Sequence, residues 1–88
     1  MESTETRAKR LMYQSFYRGC KETDIILGEF AKKNLLSFND EELSLFEALL
    51  DEDDKQIFNW FTGIEEMPQK HKNPVTEKIS AFLANNRV

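Results

Sequence analysis

Arg18, Gly19 and Glu22 fall within about one helical turn of chain, preceded by Phe16-Tyr17 and followed by Thr23-Asp24-Ile25-Ile26-Leu27. A guanidinium presents a fork of donors that can hold a carboxylate or phosphate through two parallel hydrogen bonds. The neighbouring glycine bares the backbone, so another molecule can approach closely. The carboxylate can steady the arginine or accept a bond from outside. This combination suits recognition of a partner surface better than bond-breaking chemistry. A plainer account uses the same residues: Gly19 ends one helix in the left-handed conformation, Arg18 favours the negative end of that helix, and Glu22 favours the positive start of the next. Spacing alone leaves both accounts open, but the plainer one gives no reason for Tyr17 beside the arginine.

The other reactive residues assemble no catalytic group. His71 is the sole histidine; it stands between Lys70 and Lys72 beside Asn73-Pro74 and reads as a solvated loop residue, without a second histidine or a cysteine at ligand spacing. Cys20 is the only cysteine, so it forms no internal disulfide and points to a reducing compartment. As a nucleophile it would need a base and an orienting group, and one distant histidine does not supply both. The run Asp51-Glu52-Asp53-Asp54 lacks the alternating ligands and central glycine of a calcium loop, and it reads as a helix start with a solvated face. Phosphate-cradling glycine loops are absent. No enzyme activity, no metal and no stably bound cofactor are therefore expected.

Charge narrows the partners. With 88 residues and a formal net charge of -4, the chain lacks the basic surface from which nucleic-acid binding draws its affinity. Bases gather early, at Arg7, Lys9, Arg10, Arg18 and Lys21, whereas Asp40, Glu41, Glu42, Glu47, Asp51, Glu52, Asp53 and Asp54 crowd the middle, with no base from Asp40 until Lys55. One basic end could dock on an acidic partner. No apolar run approaches the roughly 20 residues that span a bilayer, and the N-terminus mixes Glu2 and Glu5 with its bases. A soluble, cytoplasmic protein without membrane insertion is expected.

The elements that would position these residues are helical. Apolar stripes recur at helical spacing: Ala8, Leu11, Met12, Ser15 and Phe16; Ile26, Leu27, Phe30 and Ala31; Leu43, Phe46 and Leu50; Ile57, Trp60 and Phe61; and Val75, Ile79, Phe82 and Leu83. Phe58, Trp60 and Phe61 read as core packing more than as a stacking platform, with Phe58 nearest the surface. Asn39 with Glu42 predicts a capping box, and Phe38 with Leu43 a hydrophobic staple. Gly63 predicts a left-handed helix stop, Asn73-Pro74 a helix start, and Glu65 to Lys72 a polar loop. A chain this short supports one core. The expectation is a single domain over 1–88, with its core at about 7–84, built as a compact all-α bundle of about five short helices.

At the Arg18-Gly19-x-x-Glu22 pattern the sequence resembles the SdhE family, the succinate dehydrogenase flavinylation (assembly) factors. The pattern follows Arg10-Leu11-Met12-Tyr13-Gln14-Ser15 and precedes Asp24-Ile25-Ile26-Leu27-Gly28-Glu29-Phe30-Ala31. The resemblance continues through Leu43-x-x-Phe46-x-x-Leu49-Leu50 to Ile57-Phe58-x-Trp60, and covers about Arg7 to Phe82. It implies a small five-helix assembly factor, not itself an enzyme. Such a factor binds the flavoprotein subunit of succinate dehydrogenase, in bacteria also that of fumarate reductase, and promotes covalent attachment of FAD to it. The family's motif falls on Arg18, Gly19 and Glu22, with Tyr17, Asp24 and Phe58 as further members of the partner-binding face. Cys20 and Thr23 depart from the larger or more apolar residues frequent in the family. A bacterial member would be cytoplasmic, a eukaryotic one would occupy the mitochondrial matrix, and a monomer is expected. A competing expectation is a small acidic helical adaptor that uses the same turn without any link to flavin; pull-down with the flavoprotein subunit separates the two.

Overall fold

The computed structural model describes residues 2–16 and 21–85, with the side chains of Lys21 and Glu22 left out. Five α-helices run through the described residues: α1 (Thr4–Phe16), α2 (Lys21–Asn34), α3 (Asp40–Leu50), α4 (Asp54–Thr62) and α5 (Pro74–Asn85), with short 3-10 turns at Leu35–Ser37 and Gln69–His71. The expected all-α bundle is what forms. No helix among the described residues is long and apolar enough to cross a membrane.

Local chemistry sets the boundaries. Ser3 closes the start of α1, its hydroxyl accepting the Thr6 amide at 3.1 Å. Asn39 caps α3 as expected: its side chain accepts the Glu42 amide at 2.8 Å while the Glu42 carboxylate accepts the Asn39 amide at 3.0 Å. Asp53 proves to be the cap of α4, accepting the Lys55 amide at 3.2 Å. That helix stops at Gly63, whose φ of 83° is the left-handed value a side chain would resist. Asn73 receives the amides of Val75 and Thr76 at 2.9 and 3.0 Å, so Pro74 enters α5 at a position where no amide is missed.

The stripes meet around Phe30. This side chain is 1 % exposed, and it packs edge-on to Phe38 at 5.9 Å and to Phe82 at 5.6 Å and stacks with Phe46 at 6.1 Å. Ala8, Leu11, Leu27, Ala31, Leu35, Leu43, Leu49, Leu50, Ile57, Val75 and Ile79 complete the buried core. Ser15 is buried on the α1 stripe, and its hydroxyl donates to the Leu11 carbonyl at 2.8 Å, so burying it leaves no polar atom without a partner. On α4, Ile57 is the apolar residue that reaches full burial, while Phe58, Trp60 and Phe61 are half-buried. Trp60 thus lies at the rim of the core, not inside it as its spacing suggests.

His71 overturns its sequence reading. It is 4 % exposed, Nε2 lies 2.5 Å from Glu52 Oε2, and its ring stands 5.3 Å from the Trp60 ring. The Thr76 hydroxyl donates to the His71 carbonyl. The stretch expected to be a polar loop is therefore partly ordered: its 3-10 turn carries His71 back onto the bundle. Glu52 is likewise not a solvated acid, since Lys70 Nζ also reaches it at 3.0 Å. The bond to His71 above all, and then that from Lys70, hold the Glu52 carboxyl below the ordinary carboxylate value.

Two outcomes are expected. Trp60→Ala removes a half-buried ring and should cost about 2 kcal/mol, less than the 3–5 of a fully buried aromatic; that lowers the midpoint by roughly 8–16 °C in a domain this size, readable by circular dichroism. Glu42, Glu47 and Glu52 all have carboxyls depressed by their partners. The stability they lend is complete above the ordinary value of 4.5 and is lost as pH falls through their lower folded values. Melting midpoints measured downward from about pH 6 should drop below about pH 4.5, and Glu52→Gln should make that drop shallower.

Candidate functional site

Of the residues assigned to the partner-binding face, Tyr17, Arg18 and Gly19 lie outside the described residues, as does Cys20. The backbone of Glu22 belongs to the first turn of α2. Asp24 is half-buried on the same helix, and Phe58 is half-buried on α4. What the structure does define is the end of α1 at Phe16, the start of α2 at Lys21, and the N-terminus of α4.

Thr23 joins two of these. Its side chain is fully buried, and its hydroxyl donates to the Asp54 carbonyl at 3.3 Å. A larger apolar residue there would have no such bond to make. Thr23 therefore ties the first turn of α2 to the start of α4. Phe58 follows Asp54 by one helical turn and shares its face of α4, so Asp24 and Phe58 belong to helices fastened together beside the α1–α2 connection.

At the other end of α1 the early bases are committed. Arg7 reaches Glu47 at 2.9 Å and the Ser44 hydroxyl at 2.9 Å. Arg10 bridges Glu47 at 3.1 Å and Glu2 at 2.9 Å, and Lys9 pairs with Glu5 one turn away at 3.0 Å. The hydrogen bond from Arg7 is the main reason that the Glu47 carboxyl sits below the usual range; bonds to Glu2 and then Glu47 raise the Arg10 guanidinium. The expected basic docking end is thus corrected: Arg7, Lys9 and Arg10 are neutralised within the chain, and the first two arginines serve to lock α1 on α3.

The structure also brings forward residues that spacing did not single out. Asn59 is 7 % exposed and its amide donates to Glu65 at 3.0 Å, closing the turn after α4. Gly28 is buried in the interior of α2 against the Phe16 ring. A glycine at the centre of a helix with apolar neighbours is a visible signal of close approach, and it was available from the sequence. Nothing in the sequence foretells that Glu52, one acid in a run of four, belongs to His71. Among the described residues no group of three or more His, Cys, Asp or Glu side chains is placed to hold a metal.

The sequence is that of a known family. The family model described as "Flavinator of succinate dehydrogenase" matches residues 9–83, from within α1 to within α5. "Succinate dehydrogenase assembly factor 2, mitochondrial" of Yarrowia lipolytica is 43% identical over 88 residues, spanning 96% of this chain and 61% of that protein. The protein of the same description from Debaryomyces hansenii is 39% identical over 89 residues, 98% of this chain and 63% of its own length. "Succinate dehydrogenase assembly factor 2-B, mitochondrial" of Drosophila mojavensis is 36% identical over 86 residues, 96% of this chain and 55% of its own. The chain thus spans about six-tenths of the length of these relatives. With the family match running from α1 into α5, the chain belongs to the family of the flavinator of succinate dehydrogenase.

Proposed function

We propose that the chain is a succinate dehydrogenase assembly factor that binds the flavoprotein subunit and promotes covalent attachment of FAD to it, without being an enzyme and without keeping a cofactor of its own. The observation that carries this reading is the family match over residues 9–83, to which the Arg18-Gly19-x-x-Glu22 pattern adds a partner-binding face. Relatives whose names place them in mitochondria support the mitochondrial matrix as the working compartment; cytoplasm would be the bacterial equivalent, with the flavoprotein of fumarate reductase as a further client.

A helper of this kind needs no reactive group. It has only to bind more tightly to the partner conformation in which attachment proceeds, and the difference in affinity shifts the partner's population toward that state. In this reading Arg18 makes forked bonds to acidic or polar groups of the partner, Gly19 permits close approach, and Glu22 steadies Arg18 or accepts a partner donor. Tyr17, Asp24 and Phe58 extend the face. FAD is cargo, held by the partner.

In-gel flavin fluorescence of the flavoprotein subunit, with and without this chain, tests the function; equal signals would overturn it. Arg18→Ala should leave helicity and melting intact while weakening the complex by about 2 kcal/mol, roughly thirtyfold, and lowering covalent flavin in step. For Gly19 the substitutions Asn and Arg discriminate between the two accounts of the turn. Asparagine reaches the left-handed region at small cost, so a glycine serving only as a helix stop tolerates it, whereas a docked backbone tolerates neither. Loss of binding in both folded variants is expected; full binding by Gly19→Arg would remove this residue from the interface.

A further inference from the structure

Gly28 occupies the interior of α2, where glycine is the poorest helix former after proline. Its cost there requires a reason, and the packing supplies one. A Cβ at position 28 would stand 2.8 Å from both Cδ1 and Cε1 of Phe16 and 3.2 Å from its Cγ. Those distances are inside van der Waals contact, so the ring of Phe16 lies flush on the bare backbone of α2. Phe16 is the last residue of α1, and Tyr17, Arg18 and Gly19 follow it directly in the chain. The contact is local to that end of the helix, because α1 is held elsewhere by Ala8 and Leu11 in the core and by Arg7 and Arg10 on Glu47.

We propose that Gly28 is a positioning residue for partner binding: by seating the Phe16 ring on α2 it fixes the end of α1, the residue after which the sequence continues to Arg18, Gly19 and Glu22. The inference rests on the reading of those three residues as the partner-binding face. Phe16 is 37 % exposed, so a methyl group at position 28 has an easy outlet: the ring swings toward solvent and the core is left untouched. The substitution should therefore act on the end of α1 and spare the fold, which separates it from an ordinary packing defect. Alanine also improves the helix propensity of α2, so melting should hold or rise while binding falls.

The test is a double-mutant cycle on the full chain, read as affinity for the purified succinate dehydrogenase flavoprotein subunit, with circular dichroism melting of the same samples. Gly28→Ala should keep its melting midpoint and bind about tenfold more weakly, Phe16→Ala should lose a similar factor, and the double variant should be no worse than the weaker single because both changes break one contact. Normal binding by either single variant, or losses that multiply in the double, overturns the inference. Should Gly28→Ala fail to fold, Phe16→Ala decides alone, since it only removes atoms from a partly exposed site. Arg18→Ala runs alongside. If it loses binding while Gly28→Ala and Phe16→Ala bind normally, the positioning role falls and the reading of the face stands; if Arg18→Ala itself binds normally, that reading falls and the inference with it.

Discussion

The fold depends on Phe30 more than on any other side chain. Its ring meets Phe38 ahead of α3, Phe46 within α3 and Phe82 on α5, so one residue of α2 is the common contact of three other parts of the chain. Aromatic pairs of this geometry add to the area they bury, and a domain of this size has few such rings to spend. The consequence reaches the site. The Phe30 contacts anchor α2, whose first turn contains Glu22 and Asp24.

Ion pairs do a different job from the one their grouping in the sequence suggests. Arg7 and Arg10 converge on Glu47, and Lys78 reaches Glu42 at 2.7 Å, so that α1 and α5 are both fastened to α3. Such partly exposed pairs lend little net stability. Their value is in register: they fix how far each helix slides along its neighbour, which apolar stripes of Leu and Ala specify poorly.

Much of this was legible in the sequence, and the reason is local chemistry. The Asn39–Glu42 box, the Gly63 stop, the Asn73-Pro74 start and the core faces of α1, α2, α3 and α5 are all fixed by residues within a few positions of one another, and the structure has them where the sequence puts them, except that Phe16, expected on the α1 stripe, is exposed. The misreadings share a cause: each depends on a contact between distant positions. His71 looks solvated because its neighbours are lysines, yet its partner is Glu52, 19 residues away. Trp60 looks like core by spacing, yet the short α4 presents Ile57 inward and leaves the indole at the rim, where His71 covers it. The basic end looks free because its acid, Glu47, lies 40 residues from Arg7. The reading of Arg18, Gly19 and Glu22 as a partner-binding face rests on residue types alone, and Tyr17, Arg18 and Gly19 lie outside the described residues.

The latch formed by Glu52, His71, Lys70 and Thr76 illustrates how a small helical domain can stabilise a connection that its apolar core does not reach. The stretch from Gly63 to Asn73 contributes no large apolar side chain to the core, and Ile64 is 65 % exposed. Without polar anchors it would be a long loop with unsupported backbone groups. Asn59 and Glu65 fasten its beginning, and His71 with Glu52 and Thr76 fasten its end. Burying an imidazole is tolerable only because its Nε2 finds a carboxylate and its carbonyl finds a hydroxyl. Those same bonds place the ring against Trp60 and seal the side of α4 that apolar residues leave open. The acidic link between α3 and α4 is thereby committed to structure.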